Sequence, residues 1–199
     1  LLLHAEQGYG DTLQMIRYAP RVAERVGRIL LWVPKSLRTL LSTVNGVDEV
    51  VTDKPPDGSF HAHLPLMSLP GVFDDSLETL PKEVPYLGNF PQTNTEKTVK
   101  IGLAWAGSAN QPLDRRSVLL SELTPLTSVD GVGWHSLQLG RETGQIADSE
   151  WASVIQDGSD QLTDFAATAA VMAELDLIIC VDSAVAHLAG ALGKPVWVL

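Results

Sequence analysis

Short apolar runs recur along this chain with helical spacing between them, and that alternation narrows the fold more than any other feature. Residues 1–5, 28–33, 48–52, 60–66, 99–106, 133–139, 176–181 and 195–199 read as strands. Helical patterns fill residues 12–26, the stretch after Pro34, residues 121–128, 162–175 and 184–192. Parallel neighbours need a crossover between them, usually a helix, so the rhythm predicts parallel sheets. Pro20 lies inside the first helical pattern and should split it near Ala19, because proline offers no amide donor. In the last helix pattern Gly193 supplies the stop signal.

The periodicity lapses between Pro81 and Thr98 into Pro, Asn, Thr and Gly. The predicted organisation is therefore α/β, with two Rossmann-like parallel-sheet halves facing a cleft: residues 1–90, a linker at 91–98, and residues 99–199. A length of 199 residues, 45 % hydrophobic and 19 % charged, suffices for two cores. The chain begins without Met and stops on an apolar run, so a longer parent protein is expected, with the second half incomplete. No apolar run approaches the roughly 18 to 20 residues of a membrane span. The single cysteine, Cys180, allows no internal disulfide and fits a reducing cytoplasm.

Charge excludes one class of partner. The balance of 24 acidic against 14 basic side chains gives a net charge of −10, without the basic face that a nucleic acid requires. An anionic ligand must then be held locally, by a few placed groups. In open α/β sheets such groups sit directly after the strands.

Three such places stand out. The first is Glu6-Gln7-Gly8-Tyr9-Gly10-Asp11-Thr12. Gly8 and Gly10 permit a tight turn, and Asp11 reads either as a helix-start capping residue or as a general base facing the cleft. Leu13 stands where a dinucleotide fingerprint has its third glycine, which weakens an NAD-dependent oxidoreductase reading. The second place is Val181-Asp182-Ser183-Ala184-Val185-Ala186-His187. If Ser183 caps the helix, the amides of Ala184, Val185 and Ala186 point into the cleft and suit a phosphate without any metal. Asp182 stands ready for a ligand hydroxyl; His187, one turn on, is either a packed histidine or a site residue. The third place is Trp105-Ala106-Gly107-Ser108-Ala109-Asn110, followed by Asp114-Arg115-Arg116-Ser117. Here the arginines either pair with Asp114 in solvent or fork onto a phosphate. His61 and His63 alternate on a strand without a further metal-type ligand nearby and read as structural, so no metal site is expected.

The Gly8-Tyr9-Gly10-Asp11 turn and the run Asp182-Ser183-Ala184-Val185-Ala186-His187-Leu188-Ala189-Gly190-Ala191-Leu192-Gly193-Lys194-Pro195 resemble glycosyltransferase family 9, the ADP-heptose:lipopolysaccharide heptosyltransferases. Residues 4–11, Trp105-Ala106-Gly107 and Ser136-Leu137-Gln138 look closer still to the C-terminal domain of bacterial tetratricopeptide-repeat proteins placed in that superfamily. The resemblance implies a GT-B fold, N-terminal helical repeats, continuation past Leu199, no cofactor, and metal-independent sugar transfer from a nucleotide diphosphate. By position, Asp11 matches the proposed general base, Asp182 a donor-sugar contact, and Ser183 and Ala184 the backbone donors to the pyrophosphate. Arg116 falls where the family carries a phosphate-binding lysine, Gly107 and Ser108 lie near its phosphate-contacting hydroxyl pair, and Glu142 matches a ribose-binding acid. Ala184 replaces the usual glycine. ADP-heptose as donor is an expectation of the family association; the acceptor is an unspecified glycan, lipid-linked or protein hydroxyl. A non-catalytic nucleotide-sugar-binding or scaffold module is the competing expectation.

Overall fold

The computed structural model describes residues 1–88, 90, 98–107 and 115–199. It contains two parallel sheets. The first has the order β3-β2-β1-β4, built from β1 (Leu2–His4), β2 (Leu30–Trp32), β3 (Glu49–Val51) and β4 (His63–Pro65). The second has the order β7-β6-β5-β8-β9, from β5 (Val99–Ala104), β6 (Val132–Ser136), β7 (Ile155–Asp157), β8 (Leu177–Cys180) and β9 (Val196–Val198). Every pairing is parallel, as the alternation predicts.

Register explains the first core. Leu3 lies opposite both Leu31 and Leu64, and Leu31 opposite Val50, so one face of the sheet presents a continuous aliphatic row. Against that core pack α1 (Tyr9–Met15), α2 (Ala19–Ala23) and α3 (Arg38–Leu41), which bury Leu13, Val22, Leu40 and Leu41. Each such aliphatic side chain removed from water contributes roughly 1.5–3 kcal/mol. α4 (Leu69–Val72) follows β4 through a 3-10 turn. Pro20 acts as expected: residues Ile16–Tyr18 tighten into a 3-10 turn and α2 restarts with proline in its first turn, where a missing amide costs nothing.

In the second half α5 (Phe165–Ala173) and α6 (Ala184–Ala191) flank β8, whose Ile178, Ile179 and Cys180 are all buried. Residues 121–128 differ from expectation. They form part of a 3-10 run, Leu120–Ser128, because Pro125 removes an internal donor. β7 and the 3-10 turns Arg141–Gln145 and Glu150–Ser153 carried too few apolar residues to show in the periodicity. They close a second core in which Trp134 and Trp151 meet edge to face at 5.3 Å beside Trp105.

The halves are joined by packing. One buried cluster runs from Leu3, Leu13 and Leu31 through Leu188 and Ala189 to Met172 and Leu137. At its centre α1 lies against α6. Tyr86 and Leu87 tie the far ends of both helices. Their amides donate to the Ala191 carbonyl at 3.0 and 3.3 Å, while the Tyr86 hydroxyl reaches Leu13 O at 3.1 Å and receives Arg17 at 2.9 Å. Residues 91–97 of the expected linker lie outside the described residues.

Candidate functional site

Each sheet has a point where consecutive strands depart to opposite sides, and ligands of open α/β sheets bind at the carboxyl ends there. In the first sheet it lies between β1 and β4; in the second, between β5 and β8. α1 springs from the first point and α6 from the second. The two helix starts face each other across the molecule. A Cβ on Gly10 would fall 2.5 Å from Cδ2 of His187, so only glycine leaves room for that ring. Tyr9, first residue of α1, also meets Phe165, first residue of α5, with ring centroids 5.1 Å apart.

Three helix starts thus converge, and their amides are treated differently. At α5 the Asp164 carboxylate accepts the Ala167 amide at 2.8 Å. At α1 Gly8 is the N-cap and Asp11 sits three positions in; its Oδ2 accepts the Gly8 amide at 2.9 Å. Asp11 therefore bonds its own cap in the manner of a capping-box acid, and α1 begins at Tyr9, earlier than the apolar pattern alone predicted. Oδ1 has no hydrogen-bond partner among the described residues.

At α6 no carboxylate stands at the cap or in the first turn. Ser183 occupies the N-cap with extended backbone, φ −153° and ψ 177°, yet its side chain makes no capping bond, and the buried Oγ has no partner. This corrects the expectation of a hydroxyl cap. The Ala186 amide donates back to Ser183 O at 3.1 Å, so it is not available to a ligand as the sequence suggested. The amides of Ala184 and Val185 have no acceptor among the described residues, and both residues are half-buried. The amides of Tyr9 and Gly10 and those of Phe165 and Ala166 likewise have no acceptor among the described residues, but their helix starts carry Asp11 and Asp164. With the helix dipole behind them and no acid at the cap or in the first turn, Ala184 and Val185 are the pair suited to an anion.

The loop after β5 adjoins this start. Ala104 pairs with Cys180 and Val181 N donates to Ala104 O at 3.0 Å, so residues 105–107 run beside residues 181–184. The Gly107 amide donates to Ser117 Oγ at 2.9 Å. That bond, with Val118 N to Trp105 O at 2.9 Å, returns the segment bearing Arg116 to the strand end. Ser108 lies outside the described residues. Glu142 stands one strand further away, in the turn after β6, and pairs with Arg141 at 3.3 Å. Asp182 is exposed at the end of β8. Burial, and secondarily the Asp182 charge, push the Cys180 thiol up to about 12.

The structure thus brings Gly10, His187, Ser183 and Ala184 to one place, with Gly8 and Asp11 at the opposing helix start and Gly107 and Arg116 on the adjoining loop. Glu142 is set apart from them. Reasoning from sequence missed Gln138, whose buried amide braces residues 105 and 106. Its signal was a polar residue inside the apolar stretch expected as a strand at 133–139. Lys194 has a structural place: its ammonium donates to Ala173 O and Leu175 O behind α5 at 2.5 and 2.9 Å. Burial lowers its pKa, opposed by Asp176 and Glu174.

His61 lies outside any strand, contrary to the expected alternation; it is His4 whose Nε2 stands 3.4 Å from His63 Nδ1. No group of three metal-type side chains occurs among the described residues. Two concavities, of about 630 and 430 Å³, lie in the first half, the first beside β3 and the second beside Met15, Tyr18 and Leu80. Neither is lined by residues of the β5/β8 crevice. Among the described residues no helix is long and apolar enough to cross a membrane.

The family model described as glycosyltransferase family 9 (heptosyltransferase) matches residues 160–199, which carry α5, β8, α6 and β9. No curated protein sequence matches the chain. Among solved structures, E. coli ADP-heptose lipopolysaccharide heptosyltransferase II is similar with a TM-score of 0.66 at 14 % identity, over 98 % of this chain and 82 % of its own. E. coli heptosyltransferase WaaC with ADP-2-deoxy-2-fluoro heptose gives 0.66 at 13 %, over 98 % and 87 %. A family 9 glycosyl transferase from Veillonella parvula DSM 2008 gives 0.68 at 10 %, over 98 % and 78 %. These likenesses establish the GT-B-like architecture of two parallel-sheet α/β halves.

Proposed function

We propose that this chain is a family 9 type glycosyltransferase module that grips a nucleotide-sugar diphosphate at the start of α6 and transfers the sugar to an acceptor hydroxyl held on the α1 side. One observation carries the reading: of three converging helix starts, only that of α6 has no carboxylate at its cap or in its first turn, so the amides of Ala184 and Val185, without acceptors, lie at the β5/β8 crevice with no acid on the helix start itself. The family-model match over residues 160–199 and the likeness to a heptosyltransferase bound to an ADP-heptose analogue support it.

Transfer would proceed by proton loss from the acceptor hydroxyl to Asp11, formation of a bond from that oxygen to the anomeric carbon, and departure of the diphosphate with the bonding electron pair. The two open amides and Arg116 receive the developing charge, so the step needs no metal. His187, packed where Gly10 admits it, lines the junction between donor and acceptor sides. Asp182 would hold a sugar hydroxyl, with Glu142 one strand away at the ribose end. The donor base, the sugar identity (heptose included), the tetratricopeptide context and a cytoplasmic setting are further parts of this proposal.

Thermal stabilisation by a panel of UDP-, GDP- and ADP-sugars tests donor binding, since a ligand of the folded state raises Tm. Release of nucleoside diphosphate then tests transfer. The capping bond from Gly8 to Asp11 is equally what a binding-only module would have. Donor stabilisation without nucleoside diphosphate release in the presence of acceptor extracts would favour that second reading; stabilisation by no donor overturns both.

A further inference from the structure

We propose that Gln138 is a positioning residue that sets the distance between Arg116 and the open amides of α6, and through it the affinity for the donor diphosphate. The inference rests on the reading of the α6 start as the diphosphate site. Gln138 is 3 % exposed, yet it packs as a polar bracket rather than as core. Its Oε1 accepts the amides of Trp105 and Ala106 at 3.0 and 2.9 Å. Its Nε2 donates to the carbonyls of Ala106 and Leu139 at 3.2 and 3.0 Å. Two acceptor positions and two donor hydrogens are all used, the full capacity of a side-chain amide.

Every one of those four bonds goes to backbone at the carboxyl ends of β5 and β6. The order then continues outward. Beyond Ala106, the Gly107 amide holds Ser117, and Val118 returns to Trp105, so Arg116 is carried on a segment anchored twice to the stretch that Gln138 fixes. On its other side that stretch is bonded to β8 through Val181 N to Ala104 O. Gln138 thus stands at the root of a connection through which Arg116 is referred to the α6 start. An aliphatic residue would fill the same volume but leave two amides and two carbonyls without partners.

Three variants separate this role from general stability. In Gln138→Glu the ionised carboxylate keeps the two acceptor bonds but turns its other oxygen against the Ala106 and Leu139 carbonyls; protonated, that oxygen donates to one of them. Affinity for the best stabilising member of ADP, GDP and UDP should therefore be about tenfold weaker than wild type at pH 8 and recover to within about threefold at pH 5.5, tenfold being a 1.4 kcal/mol change. Gln138→Leu should lose affinity at both pH values. Thr168→Val removes a buried hydroxyl bonded to Asp164 O, away from this connection, and should lower Tm while leaving affinity unchanged.

Amide exchange without ligand provides the independent readout. In Gln138→Leu, Trp105 and Ala106 should exchange at least about tenfold faster relative to the amides of β8, following the lost acceptor. Unchanged exchange there, or a pH-independent affinity loss in Gln138→Glu, overturns the proposal. Failure of the wild type to bind any of the three nucleotides overturns the donor reading instead, and the exchange result still decides whether the bracket holds the loop.

Discussion

The starts of α1 and α6 lie at the switch points of the two sheets, α1 after β1 and α6 after β8, and they differ in charge: the first turn of α1 carries a carboxylate and that of α6 carries none. Position for position, Gly8, Tyr9, Gly10 and Asp11 correspond to Ser183, Ala184, Val185 and Ala186. In α1 the third helical residue is a carboxylate that takes the amide of its own cap. In α6 that residue is alanine and the cap hydroxyl turns inward, unbonded. The first arrangement sets negative charge at the convergence and the second sets positive potential there. A single helical position therefore sets whether the helix start carries a carboxylate or only backbone donors.

The largest effect should come from erasing that difference. Ala186→Asp gives α6 the same first-turn acid as α1 and should weaken nucleoside diphosphate binding by at least about a hundredfold, read by titration calorimetry, because the new carboxylate repels the phosphate. Folding should be unharmed, since an acid in a first turn is favourable. Unaltered binding would break the comparison.

Next is the reverse change. Asp11→Asn keeps an acceptor for the Gly8 amide but removes the base, so sugar transfer should fall about 10²- to 10⁴-fold with donor affinity nearly constant. Loss of donor affinity in calorimetry would sink the base assignment. Gly10→Ala sharpens the comparison at the point of contact. Its Cβ collides with His187, and the variant should lose about 1–3 kcal/mol in denaturant unfolding. His187→Ala in the same chain should restore most of it.

Two smaller effects concern groups away from the open helix start. Cys180, with its thiol pushed up to about 12, should resist alkylation in the native protein at pH 8 and react only on unfolding. Asp75 is held below the ordinary carboxylate range: burial opposes its charge, but hydrogen bonds from Arg21, Thr79 and Tyr18 outweigh that. A depressed carboxyl contributes stability above its unfolded pKa of about 4 and loses it as pH falls further. Asp75→Asn should be less stable at pH 7 and show a flatter decline below pH 4 in thermal melts.

The architecture was legible because parallel strands buried on both faces write themselves as uninterrupted runs, as at Ile178, Ile179 and Cys180. Strand β7, with one buried residue and two exposed ones, leaves no such trace. The site was legible at the level of which loops meet, since glycine and helix-start residues follow strands by rule. What escaped was the direction of individual polar groups. Ser183 has the preferred identity for an N-cap but not the bond, and Asp11 caps from within the helix. Gln138 stands in the Ser136-Leu137-Gln138 run that carries the resemblance, but its bracing role does not show there, because its partners, the backbone of residues 105, 106 and 139, have no residue signature.

Tyr86 and Leu87 bond α6 at its tail, and the Tyr86 hydroxyl reaches the same region of α1. Two rods clamped at one end can splay only at the other. A relative swing of the two halves would therefore change the gap at their tips, where Gly10 adjoins His187, and a spectroscopic label pair on residues 9 and 184 would read that change as an angle pivoting about a tyrosine.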